Sequence, residues 1–149
     1  MSEPTGIPDI GADQFATLIA QADDEQIEEG LATNGDLILE GIFTRWPEAF
    51  EPARAEDVDA VVEWHVVLGG EGSDHRWQIA IRDGACTVER GGSADPDVTF
   101  RVGALEFVKL IAGVESGPRL FVFGKLKIRG NLMLAARFQG FFRTPRPEG

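Results

Sequence analysis

Few side chains in this 149-residue chain are equipped for covalent or proton-transfer chemistry. It has two histidines, His65 and His75, one cysteine, Cys86, and no tyrosine. Glu63 and His65 stand two apart, which on a strand places a carboxylate and an imidazole on one face. Such a pair can exchange a proton, but a solvent-facing pair is the simpler reading. Asp74-His75 follows a glycine-rich run, where aspartate serves turn geometry. Cys86 follows a tight-turn signal and falls on the inward parity of its strand, a setting for an inert thiol. A single cysteine excludes an internal disulfide and a thiolate metal cluster within one chain. "GGEG" carries part of a dinucleotide fingerprint but precedes a strand pattern, not a helix. "GKLK" lacks the glycine spacing and the Ser/Thr of a phosphate loop. No nucleophile, base and orienting group come together, so no catalytic residue is expected, and two histidines with one cysteine leave no metal site expected.

Charge is distributed unevenly. The net charge of -11 divides into 5 basic and 22 acidic residues over 1–100, and 9 basic and 3 acidic over 101–149. Such a field can orient an anionic ligand or surface toward one end, or simply draw the two halves together. The acidic total argues against nucleic acid as a partner. The length suits one core, and no run approaches the roughly 18 apolar residues of a membrane span. The N-terminus lacks the basic start and apolar centre of a secretory signal. The C-terminus shows no peroxisomal tripeptide or lipidation box, so a cytoplasmic protein is expected.

The elements that must position these groups follow from periodicity. Residues 1–9 read as a loose tail. Phe15, Leu18, Ile19 and Ala22 form a helical stripe. Asp23 and Gln26 form a capping-box pattern for a second helix. Asn34-Gly35 marks a break, and Leu39, Ile42, Phe43 and Trp46 a further stripe ending at Pro47. The period then changes to two. Val62, Trp64 and Val66, then Trp77, Ile79 and Ile81, then Cys86 and Val88, then Val98, Phe100 and Val102 alternate with polar residues. "GGEGSD" and Asp83-Gly84 read as hairpin turns, and the four strands as an antiparallel meander. Phe107, Leu110, Ile111 and Val114 restore the helical period, with Glu106 and Lys109 paired on the opposite side. "LFVFGKLKI" reads as a fifth strand and "NLMLAARFQGFF" as a last helix. The expected class is α+β, with a five-stranded, mostly antiparallel sheet covered by helices on one face.

Phenylalanine is concentrated late, with seven of ten lying between Phe100 and Phe142. In the last helix Leu134, Phe138, Phe141 and Phe142 share one arc, and Leu132, Met133 and Ala136 a second. Two apolar arcs suggest a helix sandwiched between the sheet and a further apolar surface. The same residues suit a packed core or a ligand cavity. In the fifth strand Phe121 and Phe123 share parity with Lys125, Lys127 and Arg129. Gly124 is therefore expected to be a bulge that turns the phenylalanines inward and the basic residues outward.

The segments "ADPDVTFRV" and "EFVKLIAGVESGPRLFVFGKLKIRGNLMLAARF", with "WQIAIRDG" and "DGACTVERG" upstream, resemble the sterol carrier protein family, a small lipid-transfer domain. The resemblance spans about residues 35–143 and is most specific over Gly124–Asn131. It divides the chain into a tail and helical extension, 1–34, and a sterol-carrier-like domain, 35–149. It implies an apolar tunnel between sheet and helices, noncovalent binding of sterols, fatty acids or fatty acyl-CoA, and no cofactor. The absent peroxisomal signal favours a bacterial or other cytoplasmic member. Phe100, Phe107, Leu110, Ile111, Phe121, Phe123, Met133, Leu134 and Phe138 are the expected lining. Lys125, Lys127 and Arg129 are the expected contacts to an anionic headgroup or membrane. Expected partners are a lipid and, transiently, a membrane or lipid-handling enzyme, with the oligomeric state open. The alternative is a noncatalytic interaction or dimerisation module built on the Phe-rich last helix.

Overall fold

The computed structural model describes residues 12–69 and 74–143. The tail expected over residues 1–9 and the tip of the glycine loop lie outside these. Helix α1, Ala12–Gln21, carries the first stripe, with Phe15 and Ile19 half-buried and Leu18 exposed. Helix α2 spans Asp24–Arg45. Its capping box closes as the spacing predicts: the Asp23 carboxylate accepts the Gln26 N–H at 2.8 Å, and the Gln26 side chain accepts the Asp23 N–H at 2.9 Å. Asn34, at φ -132° and ψ 26°, bends α2 rather than ending it. Gly35 permits a close approach there, since a Cβ would lie 2.7 Å from the Leu68 side chain. Pro47 sits in a 3-10 turn, Trp46–Ala49, that terminates the helix.

Five strands follow the period-two pattern: β1 Ala60–Val67, β2 His75–Arg82, β3 Ala85–Arg90, β4 Val98–Gly103 and β5 Leu126–Gly130. Asp83 and Gly84 both have positive φ, 53° and 74°, the geometry of a tight two-residue hairpin turn. The meander, however, stops at β3. The sheet order is β3-β2-β1-β4-β5, and β4 runs parallel to β1. The segment after β3 crosses the sheet to reach that position. Gln78 holds the crossing through Ala94, donating to its carbonyl at 2.8 Å and accepting its N–H at 3.2 Å. Asp97 ends it, its carboxylate accepting the Val61 N–H at 2.8 Å and its own N–H bonding the Val61 carbonyl. A period of two fixes which face a residue occupies, not which strand lies beside it.

Helix α3, Ala104–Ile111, buries Phe107, Val108 and Leu110. Glu106 and Lys109 do not pair with each other: Lys109 donates to Asp24 at 2.9 Å, and Glu106 lies 4.0 Å from Lys125. The expected fifth strand is divided. Its first half is a short helix, α4, Gly117–Val122, started by Ser116, whose side chain accepts the Arg119 N–H. Gly124, at φ +77°, closes α4: its N–H returns to Phe121 and that of Lys125 to Leu120. That paired closure is a helix stop, not a strand bulge. Helix α5, Leu132–Phe138, begins at Asn131, whose side chain accepts the Leu134 N–H at 3.0 Å.

Candidate functional site

The inner face of the sheet and the helices above it enclose a continuous aromatic interior. From α2, the Phe43 ring stacks on Trp77 at 4.9 Å and on Phe107 at 5.2 Å. From β1, Trp64 stacks on Phe100 at 4.5 Å and meets Phe107 edge-on at 5.2 Å. Trp46 and Phe138 complete the ring around Trp64, at 5.6 and 6.2 Å. Such ring pairs contribute about 0.5–1.5 kcal/mol each beyond their buried area. Alternation on the strands puts these residues on one face, and the α2, α3 and α5 stripes bring their counterparts down onto it.

Polar groups in this interior are few. His75 is fully buried, its Nδ1 accepting the Trp77 indole N–H at 3.1 Å, so its Nε2 carries the proton and donates to Asp36 at 2.6 Å. Trp64 has no such partner. It is 3% exposed, and its Nε1 is the buried side-chain nitrogen or oxygen left without a hydrogen bond among the described residues. Sequence reasoning passed over Trp64 as an apolar core residue. A nitrogen's lack of a partner is set by tertiary contacts and leaves no signal in periodicity.

The expected lining residues fall into two groups. Phe100, Phe107, Leu110, Leu134 and Phe138 are buried together, with Ile111 half-buried beside them. Phe121, Phe123 and Met133 point outward instead, at 47%, 66% and 78% exposure. For the phenylalanines the cause is α4, whose helical turn buries Leu120 and turns its neighbours away. For Met133 it is the second arc of α5, which no described element covers. The Phe-rich arc of Phe138, Phe141 and Phe142 is buried within the chain itself.

Among the described residues, open grooves lie beside this interior. One, of about 840 Å³, runs between the α2 kink, the end of β1 and the start of α3, with Glu28, Asp36 and Glu106 among its walls. Another, of about 410 Å³, lies under α1 and is lined by Phe15, Ile19, Ile27, Leu31, Ile38 and Val108, among others. None of the expected lining residues borders either groove.

The outer face is polar. Glu63 accepts from Arg76 at 3.1 Å and from Gln78 at 3.0 Å, and His65 contacts Asp74 and Arg101 at 3.3 and 3.2 Å. Register aligns Arg76, His65, Arg101 and Lys127 in one row across four strands. Lys127 and Arg129 are exposed on this face, whereas Lys125 precedes β5 and faces Glu106. Burial pushes the Cys86 thiol up to about 11, so it stays protonated at neutral pH and is a poor nucleophile. Among the described residues no three His, Cys, Asp or Glu side chains form a metal-binding group.

Residues 39–143 match the SCP-2 sterol transfer family. The chain belongs to that family. Among relatives of this SCP-2 domain, the peroxisomal multifunctional enzyme type 2 of Mus musculus is 36% identical over 84 residues, which are 54% of this chain and 11% of that enzyme. The chain therefore spans about a tenth of the mouse protein. The oleate-induced peroxisomal protein POX18 of Candida maltosa is 29% identical over 104 residues, 66% of this chain and 82% of the relative. Among solved structures, the sterol carrier protein domain 2 of Helicoverpa armigera superposes with a TM-score of 0.56 at 30% identity, covering 67% of this chain and 79% of its own. The SCP-2 fold is thus shared, α+β with a five-stranded, mostly antiparallel sheet.

Proposed function

We propose that this protein is a noncatalytic lipid carrier that holds a sterol, a fatty acid or a fatty acyl-CoA without covalent chemistry. The observation that carries this reading is the match of residues 39–143 to a sterol transfer family. A relative named as a fatty acid-binding protein, from Yarrowia lipolytica, is 29% identical over 76 residues and supports it. The lipid chain would lie along Phe100, Phe107, Leu110, Leu134 and Phe138, with Ile111 at the margin. The groove under α1, which borders none of these residues but shares Val108 of α3 with the core around them, would have to open into that core for the chain to enter. Lys127 and Arg129 would meet an anionic headgroup or membrane, with Lys125 contributing once released from Glu106. Displacement of a fluorescent fatty acid, read beside native mass spectrometry, tests the proposal. Bound lipid and displacement at micromolar protein are expected, and absence of both rejects it.

Outward-facing Phe121, Phe123 and Met133 favour a second reading, an interaction module docking through α4 and the start of α5. That reading requires an oligomer or complex by light scattering and a melting temperature indifferent to lipid.

A further inference from the structure

We propose that the Trp64 indole N–H is the polar anchor for the lipid, and that it selects lipids whose polar end is an uncharged oxygen acceptor. This rests on the lipid-carrier reading and narrows its ligand class. Buried donors in folded proteins are almost always paired, and an unpaired one carries a full desolvation penalty. Here the ring that carries the unpaired donor sits within the aromatic interior, among Phe100, Phe107, Phe138 and Trp46. Trp46 is itself only half-buried, so this cluster reaches the protein surface through its ring. A ligand that brings an acceptor to Nε1 recovers the penalty that the empty protein carries.

The surroundings decide which acceptor. The buried polar residues are His75 and Gln78. Both nitrogens of His75 are engaged, by Trp77 and Asp36, and Gln78 is engaged by Glu63 and Ala94. No Lys or Arg belongs to the buried core among the described residues. Arg90 reaches only the far side of this interior, over the Trp77 ring at 5.7 Å and 3.3 Å from His75 Nε2, so an ionised carboxylate moved beside Trp64 would find one N–H and no buried counter-charge. The cost of burying that anion exceeds what one hydrogen bond returns. A hydroxyl, ketone or ester oxygen loses far less on leaving water, and one donor satisfies it. Ionised ligands are then held with the carboxylate at the surface and gain nothing from Trp64.

The test compares stearyl alcohol, stearate at pH 8 and octadecane, each delivered from cyclodextrin, on the full chain and on Trp64→Phe, which keeps a ring and removes the N–H. The wild type is expected to bind the alcohol about tenfold more tightly than the alkane, the gain of one hydrogen bond. In W64F the alcohol-to-alkane ratio falls to about one, while the stearate-to-alkane ratio is the same in both proteins. An unchanged alcohol-to-alkane ratio in W64F overturns the proposal, as does a stearate preference that W64F abolishes. Binding of none of the three to the wild type overturns the carrier reading itself, a different result from a lost ratio. Should W64F fail to fold, the wild-type indole ¹⁵N–¹H spectrum decides. One indole resonance shifts downfield with the alcohol and not with the alkane, and no shift rejects the anchor.

Discussion

The same strands present two opposite surfaces, and the fate of polar atoms differs between them. On the outer face Glu63, His65, Arg76 and Gln78 all have partners across strands or in the crossing segment. On the inner face the Trp64 N–H has none. The face open to water, where an unmet hydrogen bond costs little, is the one with its bonds made. The face where an unmet bond is expensive keeps one open. Alternation produces the two faces at no extra sequence cost, since neighbouring residues on one strand serve each. The contrast teaches that the outer face is held together by polar pairs across strands, whereas the inner face is held by ring packing and leaves one donor unpaired among the described residues.

The strongest way to break this contrast is to cut into the inner face. Phe107→Ala removes a fully buried ring stacked on Phe43 and is expected to cost about 3–5 kcal/mol by urea unfolding. That is a large fraction of the ~5–15 kcal/mol of a typical domain. A smaller loss is expected at the one inner polar cluster that is satisfied. His75→Ala leaves the Trp77 N–H and the Asp36 carboxylate without their shared partner, and about 2 kcal/mol should be lost in the same assay. Replacing Lys125, Lys127 and Arg129 together by Gln acts on the other side. Stability should stay within about 0.5 kcal/mol, because these are surface charges. Affinity for anionic vesicles should nevertheless fall by about 1 kcal/mol per residue at low salt and converge with wild type at high salt. Equal loss on neutral vesicles would erase the distinction between the faces.

Much of this was legible before the fold was known, for definite reasons. Val62, Trp64 and Val66 alternate strictly, so their face could be assigned from spacing alone. Asp23 with Gln26, and Asp83 with Gly84, are local signals whose chemistry is complete within four residues. What failed was information carried elsewhere. The placement of β4 beside β1 depends on a crossing held by Gln78 and Asp97, contacts made at long range. Helix α4 is six residues long, too short to display a 3.6-residue period, and Phe121, Phe123 and Gly124 imitate a strand with a bulge. Its one local signal was Ser116 ahead of Gly117-Pro118, a helix cap followed by a proline in the first turn. Within the interior, the stripes showed Phe100, Phe107 and Phe138 on inner faces, but Phe121 and Phe123 were expected there too and point outward, and the isolation of one indole nitrogen left no signal.

The parallel pairing of β1 with β4 also sets an order of events as the chain folds. Strands β1 to β3 are joined by hairpins and close locally. The other edge of β1 must wait for a strand some 36 residues further along, as the separation of Val61 and Asp97 shows. Closing that seam carries the loop-closure cost that slows folding in proteins with distant contacts. On a ribosome, Trp64 therefore emerges well before Phe100 and Phe107 can shelter it. The topology predicts a nascent three-stranded sheet whose inner face is covered only from the α2 side, by Phe43 and Trp46, until Phe100 and Phe107 arrive, the stage at which this chain most needs protection from aggregation.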